Sequence, residues 1–238
     1  MTGAELAAAF DTIPHAWRAC LPGWTAPAQA ALVAAVVAAS GSRPIAPADP
    51  FRALRLVAPE DVRVVVFGQD PYPGAGHADG LAFSAPTATR PSLRRIFDVL
   101  EADRPGWTRP RSGRLDAWAR QGVLLLNPTL TVEVGRKNSH TAVGWQAFTG
   151  GIVRALALRT PPPTFLAWGA PAIAYLQDNL PAGANAPVLT TRHPANDFDR
   201  SFMADGSHFA RTAGLVDWWA LADEVSATPP QAEISWHN

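Results

Sequence analysis

The stretch "VRVVVFGQDPY", Val62 to Tyr72, decides how the rest of the chain is read. Its hydrophobic residues around Arg63 predict a short buried strand. The run stops at Gly68 and sets an amide, a carboxylate, a proline and a phenol side by side. A loop that only had to turn needs glycine and proline, with no call for Gln69, Asp70 and Tyr72 in that order. A carboxylate at the end of a buried strand, held before Pro71, has few structural reasons to be there. The strand therefore ends in a candidate site.

The same alternation of apolar runs and helical patterns continues along the chain. A helix is predicted after Thr25, and others after Ser92 ("LRRIFDVLEAD"), over Leu115 to Arg120, Gly144 to Leu158, Ala170 to Asn179, and His208 to Glu224. Further strands are "VLLL" from Val123, "TFLAW" from Thr164 and "PVLTT" from Pro187. The Pro-rich segments Pro44 to Pro59 and Pro161 to Pro163 read as loops. Strands that alternate with helices and are unbroken apolar runs predict an α/β fold, a three-layer sandwich with a central four-stranded, mainly parallel sheet covered by helices. Working residues in such folds lie on loops at the carboxyl ends of strands. Here those ends read "GQDPY", "NPTL", "WGAP" and "RHPAND".

Composition narrows the function classes. With 238 residues, 47% of them hydrophobic and 17% charged, the chain can bury a sizeable core and is expected to fold as one domain over 1–238. An N-terminal helical region is expected over 1–50 and a flexible tail over 228–238. One cysteine, Cys20, excludes a disulfide framework and any thiolate-rich metal site, so no metal or cofactor is expected, and the home is expected to be reducing and intracellular. The longest apolar block, Ala30 to Ala39, is too short to span a bilayer, so no membrane role is expected. A formal net charge of zero leaves any nucleic-acid binding to local patches. The arginines between Arg90 and Arg120 outnumber the acids there, but charge alone reads them as a solvated helix face.

Together the four loops supply the amides of Gln69 and Asn127, the Asp70 carboxylate, the His193 imidazole, and, with Phe83, the rings of Tyr72 and Phe83. Such a set suits a flat, neutral, hydrogen-bonding ring such as a nucleobase. A carboxylate and a histidine suit scission of a glycosidic bond, one steadying developing oxocarbenium charge, the other the leaving group. Taken singly, Asn127 before Pro128 reads as a turn starter and His193 before Pro194 as a loop histidine. His77, His140 and His208 read as structural or solvated, and Trp168 is assigned no base.

Beyond "GQDPY", the chain has "GLAFS" at Gly80, "LLLN" at Leu124, "NSHTAVGWQAFT" at Asn138, "AWG" at Ala167, "TRHP" at Thr191 and "HFART" at His208. In that order and spacing, over Phe51 to Asp217, these motifs resemble the family 1 uracil-DNA glycosylases. The resemblance implies that Asp70 positions water and stabilises the sugar cation, while His193 donates to the leaving uracil beside Gln69. It implies that Asn127 binds the uracil edge, Phe83 stacks on the ring, and Tyr72 crowds the C5 position against the thymine methyl. Pro91, Ser92, Gly169, Ala195, Phe198 and Arg200 are the implied DNA-backbone or loop positions.

Four positions depart from the family pattern. Pro73 stands where the first motif has a histidine, and Ala170 and Ala195 where serines pinch phosphates. "HPANDFDR" places Asp197 on the position of an apolar wedge, for which Phe198 or Arg200 is the substitute. These changes predict a preference for single-stranded, mismatched or already extruded uracil. The expected function is therefore that of a DNA repair glycosylase: a monofunctional hydrolase acting on uracil-containing DNA as a monomer in a bacterial cytoplasm. The chain's one lysine, Lys137, lies outside the motifs, which disfavours Schiff-base chemistry. A uracil- or abasic-site-binding protein with weak turnover, or a glycosylase with altered base or strand preference, is the alternative.

Overall fold

Residues Val64–Phe67 form the strand that the opening stretch predicts, and all of them are buried. Successive side chains on a strand point to opposite faces, so complete burial means that both faces of the sheet are covered. The computed structural model describes residues 1–221, and the tail expected over 228–238 lies outside them.

The strands are β1 (Ile45–Ala46), β2 (Val64–Phe67), β3 (Val123–Leu126), β4 (Val132–Glu133), β5 (Thr164–Trp168) and β6 (Val188–Thr191). The helices are α1 (Gly3–Ala9), α2 (His15–Ala19), α3 (Ala26–Ser40), α4 (Arg52–Leu56), α5 (Pro91–Asp103), α6 (Asp116–Ala119), α7 (Trp145–Ala157), α8 (Ala170–Asn179) and α9 (His208–Arg211). The main sheet has the order β3-β2-β5-β6 with every neighbouring pair parallel. Flanked by helices, this is the α/β sandwich expected from the alternation of strand and helix patterns. Among the described residues, no helix is long and apolar enough to cross a membrane.

Local chemistry explains the elements that hold the sheet. Thr2 and Glu5 form a reciprocal capping box at the start of α1, satisfying two backbone donors that the helix leaves free. Pro91 opens α5, where its missing N–H costs nothing. Leu93, Ile96, Phe97 and Leu100 recur at helical spacing on its buried face. Trp145, Phe148, Ile152 and Leu156 do the same for α7.

The structure differs from the sequence-based expectation in three places. The segment Pro44 to Pro59 is not all loop: it holds β1, which pairs antiparallel with β4, and the helix α4. Its prolines leave Arg52–Leu56 free to coil, and a two-residue strand carries no readable period. β6 starts at Val188 and, as an edge strand, is exposed or half-buried rather than enclosed. The last helix ends at Arg211 rather than running through the described residues toward Glu224, because the chain turns at Thr212.

Candidate active site

Because all four main strands run parallel, Gly68, Asn127, Gly169 and Arg192 leave the sheet at one edge. There the chain encloses a cavity of about 200 Å³ walled by Gln69, Asp70, Tyr72, Phe83, Asn127 and His193, with Ser92, Lys137 and Ala195 also on its lining. The closing of β2 on glycine has a direct cause: a Cβ at Gly68 would stand 2.1 Å from Asn127 Oδ1. The amide at the end of β3 thus occupies the space that any other residue at the end of β2 would need. Gly169, at φ 93°, does the same for β6, since a Cβ there would meet His193 Cβ at 2.7 Å.

Asp70 Oδ2 accepts the backbone N–H of Asn138 at 2.8 Å. With its nitrogen facing Asp70, the Asn138 amide lies 3.2 and 3.3 Å from the two carboxylate oxygens. Burial raises the Asp70 pKa, opposed by this hydrogen bond and by the charge of Lys137. Asn138 holds a positive φ of 60°, a conformation that asparagine tolerates better than most residues.

His193 Nδ1 accepts the Ala195 N–H at 3.1 Å. An acceptor nitrogen carries no proton, so in the neutral ring the proton sits on Nε2. Burial, with the Lys137 charge, lowers the His193 pKa and favours that neutral form. Ala195 lacks a side-chain donor, yet its backbone fixes which nitrogen of the imidazole can donate.

The remaining wall consists of packed aromatic rings and one hydrogen bond. Phe83, only 8% exposed, adopts φ 63°, an uncommon strained backbone for an aromatic residue. Its ring lies 5.5 Å from Trp168 and 6.1 Å from His193, centroid to centroid. Tyr72 donates its hydroxyl to Phe83 O at 3.2 Å, with Arg90 5.9 Å over its ring. Burial pushes the Tyr72 phenol far up, so it stays protonated. Asn127 is buried, and its amide makes no hydrogen bond to the described residues, which leaves it open to a ligand edge.

Pro91, Gly169, Phe198 and Arg200 do not line the cavity. Asp197, which spacing placed on the wedge position, turns inward: its side chain is 2% exposed, ion-paired with Arg95, and accepts the Phe202 N–H at 2.7 Å. Phe198 beside it is 96% exposed. Arg200, at φ 54°, accepts from Arg95 through its carbonyl at 3.4 Å. Within the arginine-rich segment, Arg109 bridges Asp98 and Glu101, and Arg104 faces Trp219. His140 bridges Ser40 and Thr131, and His208 accepts from Trp168, so both are structural. Sequence reasoning weighed Lys137 only as a Schiff-base nucleophile and gave Asn138 no role of its own; an asparagine directly after the sole lysine, at the start of a matched block, was the available signal.

The strand ends of this parallel sheet thus wall one slot with a carboxylate, a neutral imidazole, two amides and two aromatic rings. The chain belongs to the uracil DNA glycosylase superfamily, whose family model matches residues 55–212. It is 46% identical over 199 residues to a uracil-DNA glycosylase of Bordetella parapertussis, covering 81% of this chain and 77% of the relative. It is 44% identical over 242 residues to one of Bordetella petrii, covering 97% and 89%. Among solved structures, mimivirus uracil-DNA glycosylase superposes with a TM-score of 0.64 at 26% identity, over 73% of this chain and 64% of the mimivirus chain.

Proposed function

We infer that this chain is a monofunctional uracil-DNA glycosylase, a hydrolase that removes uracil from DNA and leaves an abasic site for repair. The observation that carries the residue-level reading is that Asp70 and a His193 with its proton on Nε2 wall one cavity together with Asn127, Phe83 and Tyr72.

In this reading uracil enters the slot, Phe83 stacks on the ring, and the open Asn127 amide pairs with a carbonyl and ring N–H of its edge. Tyr72, locked on Phe83, occupies the space a C5 methyl would need. As the bond between the sugar C1′ and uracil N1 breaks, its electron pair leaves with the base. The His193 Nε2–H donates to uracil O2, where negative charge gathers. Asp70, ionised, faces the sugar cation and orients the water that adds to C1′, and the water's proton passes to the carboxylate. Gln69 sits beside Asp70, and Ser92, in the first turn of α5, offers a hydroxyl to a phosphate.

Phe198 is the wedge. Locked behind it, the Asp197–Arg95 pair holds the loop while the phenyl ring projects into solvent, the posture that insertion into a base stack requires. The absence of side-chain donors at Pro73, Ala170 and Ala195 still favours single strands over duplex. Pro91 and Gly169 shape the loops without touching the base. Action in a bacterial cytoplasm is supported by the free thiol of Cys20 and the bacterial source of both relatives, and a monomer is the proposed state. A binding protein without turnover has no need of both Asp70 and His193 on one wall.

Incubating the protein with uracil-containing single- and double-stranded oligonucleotides and scoring alkali-labile breaks tests this reading. Breaks at uracil alone support it, and intact strands contradict it.

A further inference from the structure

Lys137 is the chain's only lysine. It is the single permanent cation among the residues lining the cavity, it is exposed, and it makes no ion pair with the described residues. Its main chain is not free, because the next residue is tied by its N–H to Asp70. The lysine stem therefore starts beside the carboxylate, and its charge is felt at both Asp70 and His193.

A neutral base inside the slot offers an ammonium little. The anionic groups that must sit at the mouth in every encounter are the phosphodiesters flanking the extruded nucleotide, and Asp70 repels them. A cation on the rim offsets that repulsion. Ala195, on the same lining, and Pro73 bring no side-chain donor to do so. Lysine, a compact charge on a flexible stem, suits a phosphate whose position shifts as the nucleotide turns out.

We propose that Lys137 is a DNA-binding residue of the site, its ammonium gripping a phosphodiester next to the extruded nucleotide. The role rests on the glycosylase reading. A nucleophilic role does not fit, since an exposed amine lacks the apolar enclosure that activates one.

The test compares wild type, Lys137→Gln and Lys137→Arg. Anisotropy measures binding of a single strand bearing one uncleavable deoxyuridine analogue across a salt series, and a parallel assay measures kcat and KM for uracil release. Lys137→Gln is expected to raise KM roughly 5-fold at low salt with kcat within about twofold. Its log–log salt dependence of binding should be shallower by about 0.7, and Lys137→Arg should keep the wild-type slope. An unchanged slope in Lys137→Gln overturns the proposal, as does a loss confined to kcat with a displaced acid limb, which would place the lysine's action on Asp70. A borohydride-trapped adduct lost in Lys137→Gln also overturns it. Absence of uracil release by the wild type would defeat the glycosylase reading instead, and the binding slopes still decide the lysine's contact.

Discussion

The backbone N–H of Asn138 meets the Asp70 carboxylate at 2.8 Å across 68 residues of sequence, so the acid of the site is aimed by a loop remote from its own strand. Burial favours the protonated form of Asp70, and this hydrogen bond opposes it. In the proposed reading Asp70 is anionic when it steadies the cation, so activity is expected to fall on acidification, with a midpoint raised from the ordinary aspartate value. Asn138→Ala keeps the main-chain donor but removes the amide. The expected result is about a 10-fold loss in kcat with the acid limb moved to higher pH, because one fewer donor stabilises the anion. A pH–rate profile of uracil release checks both the loss and the direction.

Tyr72 is held against the slot by its hydrogen bond to Phe83 O, at 3.2 Å. Tyr72→Phe loses that bond, worth about 1 kcal/mol, but keeps the ring and is expected to go on rejecting thymine. Tyr72→Ala opens the C5 space, so thymine release from T:A oligonucleotides should become measurable. Continued rejection by the alanine variant would place the methyl barrier elsewhere.

Phe198 stands 96% exposed next to Asp197, whose side chain is 2% exposed and ion-paired with Arg95, so the loop anchors one residue and presents its neighbour. Phe198→Ala is expected to lower excision from a U:A duplex by about 10-fold or more while leaving single-stranded excision within about twofold. Equal losses on both substrates would remove the wedge role. The wild type is expected to excise faster from single strands than from the paired duplex.

The sheet was legible because β2, β3 and β5 are unbroken apolar runs closed by turn residues, a pattern that burial on two faces imposes. The place of Asp70 on the cavity wall was legible because a carboxylate is unusual at the end of a buried strand, whereas His193, taken singly, read as a loop histidine and stood out only beside the other motifs. What stayed hidden acts through the main chain or through tertiary contact. Asn138 and Ala195 work by N–H groups that every residue but proline carries. Asp197 looked like a failed wedge because its partner Arg95 lies 102 residues away. The pairing of β1 with β4 joins strands of two residues each, too short for any periodicity.

The central claim is that Asp70 acts on the breaking glycosidic bond rather than on binding. Single-turnover release of uracil by Asp70→Asn from a single-stranded oligonucleotide, measured beside its affinity for the same strand, tests it most directly. The expected result is a rate lowered by about 10²–10⁴-fold with affinity within a few-fold of wild type. A rate equal to wild type, or a loss of affinity that accounts for the whole defect, would contradict it.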